Sequence, residues 1–349
     1  MTLTRADLQT LPSYVPGRSV PGAIKLASNE VPYGPLPGVV EAIAEAAAGI
    51  HRYPDMGVVA LREALGSRLG VDAARIATGC GSVALAEHLV RVTCRDATAE
   101  VVYAWRSFEA YPILTATGGA TSVRVPNRPD HGHDLAALAA AVTPHTRLVF
   151  VCNPNNPTGT AARAAELDTF LDAVPQTTLV VLDEAYREFV TDPGVPDGLR
   201  YASRPNVVVL RTLSKAWGLA GLRVGFLIAQ PTVAETVRKV VTPFSTSGLA
   251  QAAALAALGQ PDEVGRRTQL VVRERERLLT AIHKLVPDAP ESHANFIWLP
   301  LGGGSAAFAA ACEAHRVIVR VFPGDGVRVT VGTPEENDAF LAAAETALI

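Results

Sequence analysis

From about residue 38 onward, two rhythms of apolar and polar positions alternate along the chain. Segment 39–48 repeats at helical spacing, 58–69 is amphipathic, and 84–92 opens a helix straight after a Gly79-Cys80-Gly81 turn. Short apolar, β-branched runs then occupy 100–103, 148–152, 178–182, 207–210 and 225–229, each bounded by Gly, Pro, Asn or Asp. Runs without polar alternation, with helical stretches between several of them, predict a buried and largely parallel sheet carrying helices on both faces. A long helical pattern over 248–286 leads out of this unit. It is followed by a strand at 295–299, a helix at 305–315, strands at 317–321 and 327–331, and a final helix at 334–347. The pattern therefore predicts a three-layer α/β/α large domain over 31–250 and a smaller α+β domain over 251–349, preceded by a Pro- and Gly-rich extended arm over 1–30.

Composition narrows the class without naming it. A chain of 349 residues exceeds one ordinary hydrophobic core, and 48% apolar with 19% charged residues describes a compact protein. The formal net charge of -3 gives no electrostatic footprint for nucleic acid or an anionic membrane. No apolar run reaches the roughly 18 residues of a membrane span, and the N-terminus lacks a basic region followed by an apolar core. Cys80, Cys94, Cys152 and Cys312 are too dispersed for a zinc pair and too few for a disulfide scaffold, so they read as reduced thiols of a cytoplasmic protein. Cys80 reads as a small space-filling residue in its turn. His131 and His133 read as a surface turn and not as metal ligands, and no metal is expected.

The chemistry gathers where such sheets bind ligands, at the carboxyl ends of the strands. Thr212-Leu213-Ser214-Lys215 follows one strand, with Arg223 eight residues after the lysine; Asp183-Glu184-Ala185-Tyr186 ends another; Asn153-Pro154-Asn155-Asn156-Pro157 follows a third. A lysine in that company is an amine able to condense with the aldehyde of pyridoxal 5'-phosphate. The other needs of that cofactor are also met. Gly81, Ser82 and Val83 open a helix whose N–H groups suit a phosphate, with Thr212, Ser214 and Arg223 on its other side. Asp183 suits the ring nitrogen, Asn156 and Tyr186 the phenolate oxygen, and Phe108 the ring face. Lys215, once freed, can carry a proton to and from the substrate α-carbon.

These residues, with Lys25-Leu26-Ala27-Ser28-Asn29-Glu30, Arg52-Tyr53-Pro54-Asp55 and Arg328-Val329-Thr330-Val331-Gly332, resemble the fold-type I, aspartate aminotransferase-like enzymes, and within them the histidinol-phosphate aminotransferase group, from Tyr14 to the C-terminus. The resemblance implies a homodimer with shared active sites, in which Tyr53 reaches the cofactor phosphate of the other subunit. It also implies catalytic roles for Lys215, Asp183 and Tyr186. Arg328 would bind the substrate carboxylate or help bind a phosphate, with Asn29, Tyr14 and a second cation, Arg320, beside the substrate. The segments 79–83, 105–109 and 219–223 are more similar to the aromatic amino acid aminotransferases of actinobacteria, as are 295–301 and 334–340. This implies transfer between aromatic amino acids and 2-oxo acids such as phenylpyruvate and 4-hydroxyphenylpyruvate, with histidinol phosphate as the alternative substrate. A regulator on the same fold would need a DNA-binding extension that this sequence does not show. A decarboxylase on the same fold differs in which substrate bond is held perpendicular to the ring, which the sequence does not display.

Overall fold

The computed structural model describes residues 3–9, 11 and 13–348. Of the arm expected over 1–30, residues 1, 2, 10 and 12 lie outside the described residues, as does residue 349. Eleven strands form among the described residues: β1 (Ile24–Leu26), β2 (Ile76–Cys80), β3 (Glu100–Trp105), β4 (Thr121–Pro126), β5 (Thr146–Cys152), β6 (Leu179–Asp183), β7 (Val207–Thr212), β8 (Val224–Ile228), β9 (Phe296–Leu299), β10 (Val317–Phe322) and β11 (Gly326–Thr330). Seven of them make one sheet in the order β2-β8-β7-β6-β5-β3-β4. Its central strands are buried on both faces, which is why their sequences lack alternation.

The sheet is parallel except for β8, which runs antiparallel to both neighbours. That reversal positions the site. The start of β8, and with it Arg223, falls at the same edge as the carboxyl ends of β2, β3, β5, β6 and β7. Gly225 is paired with Gly79 on one side and Thr212 on the other. A Cβ on Gly225 would stand 2.2 Å from the Ser82 backbone nitrogen, so only glycine lets β8 pass this close to the start of the next helix, Gly81–Thr93.

Several sequence expectations are revised by the structure. Residues 76–80 form a strand, and the helix that follows begins at Gly81. The helical pattern over 248–286 is two helices, Gly248–Leu258 and Pro261–Ile282, because Pro261 lacks the N–H needed to continue the first and instead starts the second. The N-terminal segment is not extended throughout, since Ala6–Gln9 is helical; its later part Ile24–Leu26 is extended and pairs in parallel with Val317–Val319 as an edge strand of the second sheet, whose order is β1-β10-β11-β9. Cys80 is exposed, so it fills no space in the interior. His133 is buried, with Nε2 2.9 Å from the Cys152 carbonyl oxygen and Nδ1 3.3 Å from Asn127 Oδ1. Burial drives its pKa down to about 4, so the neutral ring has one N–H to give, best spent on the Cys152 carbonyl, and it is not part of a surface turn.

One apolar cluster joins the two sheets. Leu26 from β1, Phe226 from β8, Ala253 and Leu278 from the two intervening helices, and Phe296 and Val329 from the second sheet all belong to it. The two sheets thereby present a fixed cleft to each other. No helix among the described residues is long and apolar enough to cross a membrane.

Candidate active site

The cleft holds a cavity of about 230 Å³ at the carboxyl edge of the large sheet. Its floor is the turn from β2 into the helix Gly81–Thr93, where Ser82 and Val83 line the cavity. Gly81 adopts φ +79°, and a Cβ there would come 2.5 Å from Arg223 Nη2, so the guanidinium lies directly over the helix start. Ser214 closes the same corner. Its backbone N–H donates to Thr212 Oγ1 at 3.1 Å, and its hydroxyl accepts from Arg223 Nη1 at 3.5 Å. Free helical N–H groups, two hydroxyls and a guanidinium converging on one corner suit a phosphate.

Asp183 ends β6 and is buried, with one oxygen engaged and one free. Oδ2 accepts a hydrogen bond from the Tyr111 hydroxyl at 2.8 Å, whereas Oδ1 is buried without a partner. Burial pushes the carboxyl pKa up to about 6, against the downward pull of the Tyr111 hydroxyl and the Ala185 N–H. Tyr111 itself is clamped by stacking on Phe150 with centroids 4.4 Å apart. The adjacent Glu184 points the other way, into a buried ion pair with Arg211 at 2.7 Å. Position in the strand thus separates the two acids of the Asp-Glu pair.

Lys215 follows β7 and opens into the cavity, where Nζ donates to the Ser28 carbonyl at 3.4 Å and lies 5.9 Å from the Tyr186 ring centroid. Burial lowers its pKa to about 7, helped by the positive charges of Arg328 and Arg223 and opposed by Glu30. Tyr186 is held by Asn29, whose Nδ2 donates to the phenol oxygen at 2.9 Å, and burial raises the phenol pKa so that it stays protonated. Asn29 in turn accepts from Thr330 Oγ1 at 3.1 Å, which ties the N-terminal segment to β11.

Two arginines enter from the second sheet. Arg328 on β11 donates to Asn156 Oδ1 at 2.5 Å and to the Ala27 carbonyl at 2.9 Å, while its buried Nε has no partner. Arg320 is its register partner on β10 and reaches the same cavity. Tyr14 and Phe108 complete the wall, Phe108 with its ring edge-on to Tyr111 at 5.5 Å. Of the residues singled out from sequence, only Tyr53 stands away from the cluster. The residue is 81% exposed, and its ring stacks on Phe244 at 4.4 Å.

Tyr111, Cys152, Ser28 and Glu109 also touch or support the cavity without having been assigned a role from sequence. Tyr111 had a usable signal, since it lies one helical turn beyond Phe108. The others carried none, because their partners are remote in the chain. Among the described residues no group of three or more His, Cys, Asp or Glu could hold a metal ion.

The site fits pyridoxal phosphate on three structural points: the orphaned Asp183 Oδ1 is placed to accept from a ring N–H, the helix start under Arg223 suits the phosphate, and the partly neutral Lys215 amine is available for the aldehyde. A mostly parallel sheet with that equipment, facing a buried arginine with an unpartnered Nε from a second sheet, defines a class of cofactor-dependent amino-group enzymes. Residues 21–343 match the family described as aminotransferase class I and II, and the chain belongs to it. It is 56% identical over 342 residues, covering 98% of this chain and 95% of the relative, to the aromatic amino acid aminotransferase of Rhodococcus jostii (strain RHA1). Histidinol-phosphate aminotransferase from Sinorhizobium meliloti, solved in complex with pyridoxal-5'-phosphate, superposes with a TM-score of 0.88 at 31% identity, covering 100% of this chain and 98% of that one. An aspartate aminotransferase variant from Thermus thermophilus, at 22% identity and TM-score 0.83 with all of both chains covered, shares the fold.

Proposed function

We propose that this chain is a pyridoxal-phosphate-dependent aminotransferase that exchanges the amino group between aromatic amino acids and 2-oxo acids. The carrying observation is that Lys215, Asp183 with its unpartnered oxygen, and Arg328 all line one cavity. The aromatic assignment is supported by the 56% identity to the Rhodococcus jostii enzyme. The cofactor, when bound, supplies an aldehyde for the amine and a protonated ring that withdraws electrons from the substrate α-carbon. Asp183 would hold the ring proton, Phe108 would cover one ring face, and Asn156 with Tyr186 would donate to the phenolate oxygen. Gly81, Ser82, Val83, Thr212, Ser214 and Arg223 would hold the phosphate. The Lys215 amine, which opens into the cavity, would take a proton from the α-carbon and return it.

Arg328 would bind the carboxylate that amino acid and 2-oxo acid share, and Tyr14 and Asn29 would flank the substrate. The exposed Tyr53 ring is free to meet a second copy of the chain, so the same proposal includes a homodimer in which Tyr53 reaches the partner's phosphate corner. It also includes a large unit over 31–250 and a smaller one over 251–349, with Arg320 and Arg328 supplied by the latter, and a cytoplasmic setting in which the free thiols persist.

Histidinol phosphate is the second reading, supported by the Sinorhizobium meliloti likeness and by the presence of Arg320 in the cavity. Initial rates with phenylpyruvate, 4-hydroxyphenylpyruvate and histidinol phosphate on one preparation decide between them. A higher kcat/KM for the aromatic acids is expected, and dominance of histidinol phosphate would transfer the assignment. Borohydride should fix the cofactor on Lys215, and a wild-type chain that takes up no pyridoxal phosphate would overturn both readings.

A further inference from the structure

The second sheet sends two guanidiniums to the cavity, and their partners differ in charge. β10 and β11 are antiparallel with Arg320 opposite Arg328, so both side chains leave the same face of the sheet, and both flank the Phe322 ring, at 5.4 and 5.7 Å. Among the described residues Arg328 donates to neutral acceptors, Asn156 Oδ1 and the Ala27 carbonyl, and keeps its full charge for a ligand. Arg320 instead forms an ion pair with Glu109, Nη2 to Oε2 at 2.6 Å, and its side chain is only 11% exposed. Arg320 also donates to the Pro16 carbonyl at 3.4 Å. The nearby Arg18 is itself occupied by Glu313 at 2.8 Å. Glu109 is the residue after Phe108 and lines the cavity alongside Arg320.

We propose that Glu109 is a specificity-determining residue: by occupying Arg320 it turns a phosphate-binding cation into a neutral wall and excludes substrates whose side chain ends in a phosphate. A substrate with one carboxylate uses Arg328 and meets no net charge beyond it. A phosphate dianion entering the same cavity must either lie against the Glu109 carboxylate or displace it from Arg320, and in a partly desolvated site each option is costly. An uncharged aromatic side chain pays neither penalty and can lie against the face of the paired guanidinium.

The inference rests on reading the cavity as the amino-substrate site. Its test uses histidinol and histidinol phosphate, which differ only in the phosphate, titrated calorimetrically into enzyme loaded with pyridoxamine phosphate, to which neither amine can transfer its nitrogen. Because the uncommitted Arg328 can attract the phosphate in wild type, the readout is the change in the ratio of the two affinities when Glu109 is replaced. Glu109→Gln should tighten histidinol phosphate by about tenfold or more relative to histidinol, and Glu109→Gln combined with Arg320→Gln should abolish that gain. A Glu109→Gln change that moves both ligands equally or neither, or a gain that survives the added Arg320→Gln, overturns the inference. If phenylpyruvate is transaminated while the ratio stays put, only this inference falls. If neither probe binds and no aromatic acid reacts, the functional proposal falls with it.

Discussion

Replacing Arg328 by Lys isolates the contribution of a planar fork, because the charge remains and the geometry does not. The native guanidinium is buried and held by two acceptors, at 2.5 and 2.9 Å, which fix its plane relative to the cavity. Its Nε is buried and unpartnered, which leaves donor capacity for a carboxylate. An ammonium is a point charge that can satisfy Asn156 or Ala27 or the ligand, but cannot hold a bidentate arrangement with all of them. Losing one charge-assisted hydrogen bond in such a site costs about 1.5–3 kcal/mol, and an incompletely paired carboxylate adds to that. The expected loss is therefore roughly 2–4 kcal/mol in transition-state binding, or about 30- to 1,000-fold in kcat/KM. Because the amino acid and the 2-oxo acid share the carboxylate, the loss should appear in both half-reactions, measured separately by stopped-flow absorbance of the bound cofactor. A variant with normal kcat/KM for either half-reaction would refute the assignment of Arg328 to the carboxylate.

Asp183→Ala should lose far more in kcat than in cofactor retention, since the ring proton matters most in the carbanion-like transition state; a kcat within a few-fold of wild type would reduce Asp183 to a strand-end residue. In protein stripped of cofactor, Lys215 has a folded pKa near 7 against 10.5 when unfolded, so between these values the unfolded chain holds a proton that the folded chain lacks. Stability should therefore rise with pH across that window, and urea denaturation of Lys215→Met should show a shallower rise than wild type; parallel profiles would contradict the depressed pKa.

The central strands were legible because burial on both faces leaves an unbroken apolar run, as in β5 and β7. Edge strand β4 lacks that signal, since Thr121, Ser122 and Arg124 break its apolar run within six positions and Val125 alone of its residues is buried. Strand direction was illegible for a different reason: the sequence of β8 reads the same whether it runs with or against its neighbours, and only the pairing with β2 and β7 decides it. At the site, residue type and order were enough to gather Lys215, Asp183, Asn156 and Arg328. They could not show that Tyr111 grips Asp183 across 72 positions, or that Glu109 neutralises Arg320 across 211. Such partnerships depend on the folded approach of distant segments. His133 misled because a Pro- and Asp-rich neighbourhood suggests solvent, while the ring turns inward to the Cys152 carbonyl.

The charges around Lys215 also link its proton affinity to what the cavity contains. In the ligand-free cavity Arg328 and Arg223 both disfavour a proton on the amine, and Glu30 only partly offsets them. A carboxylate on Arg328 would cancel the larger of the two repulsions, so substrate binding should raise the Lys215 pKa. The amine would then hold a proton less readily before substrate arrives and more readily once the substrate is seated, when a proton must be taken from the α-carbon. A non-reacting carboxylate, 3-phenylpropionate, provides the test on cofactor-free protein. Its dissociation constant should weaken as pH rises through the neutral range, because the ligand stabilises the protonated amine, and Lys215→Met should flatten that dependence. Affinity for 3-phenylpropionate that is independent of pH between about 6 and 9 in wild type would mean that Lys215 and Arg328 are not electrostatically coupled through the cavity.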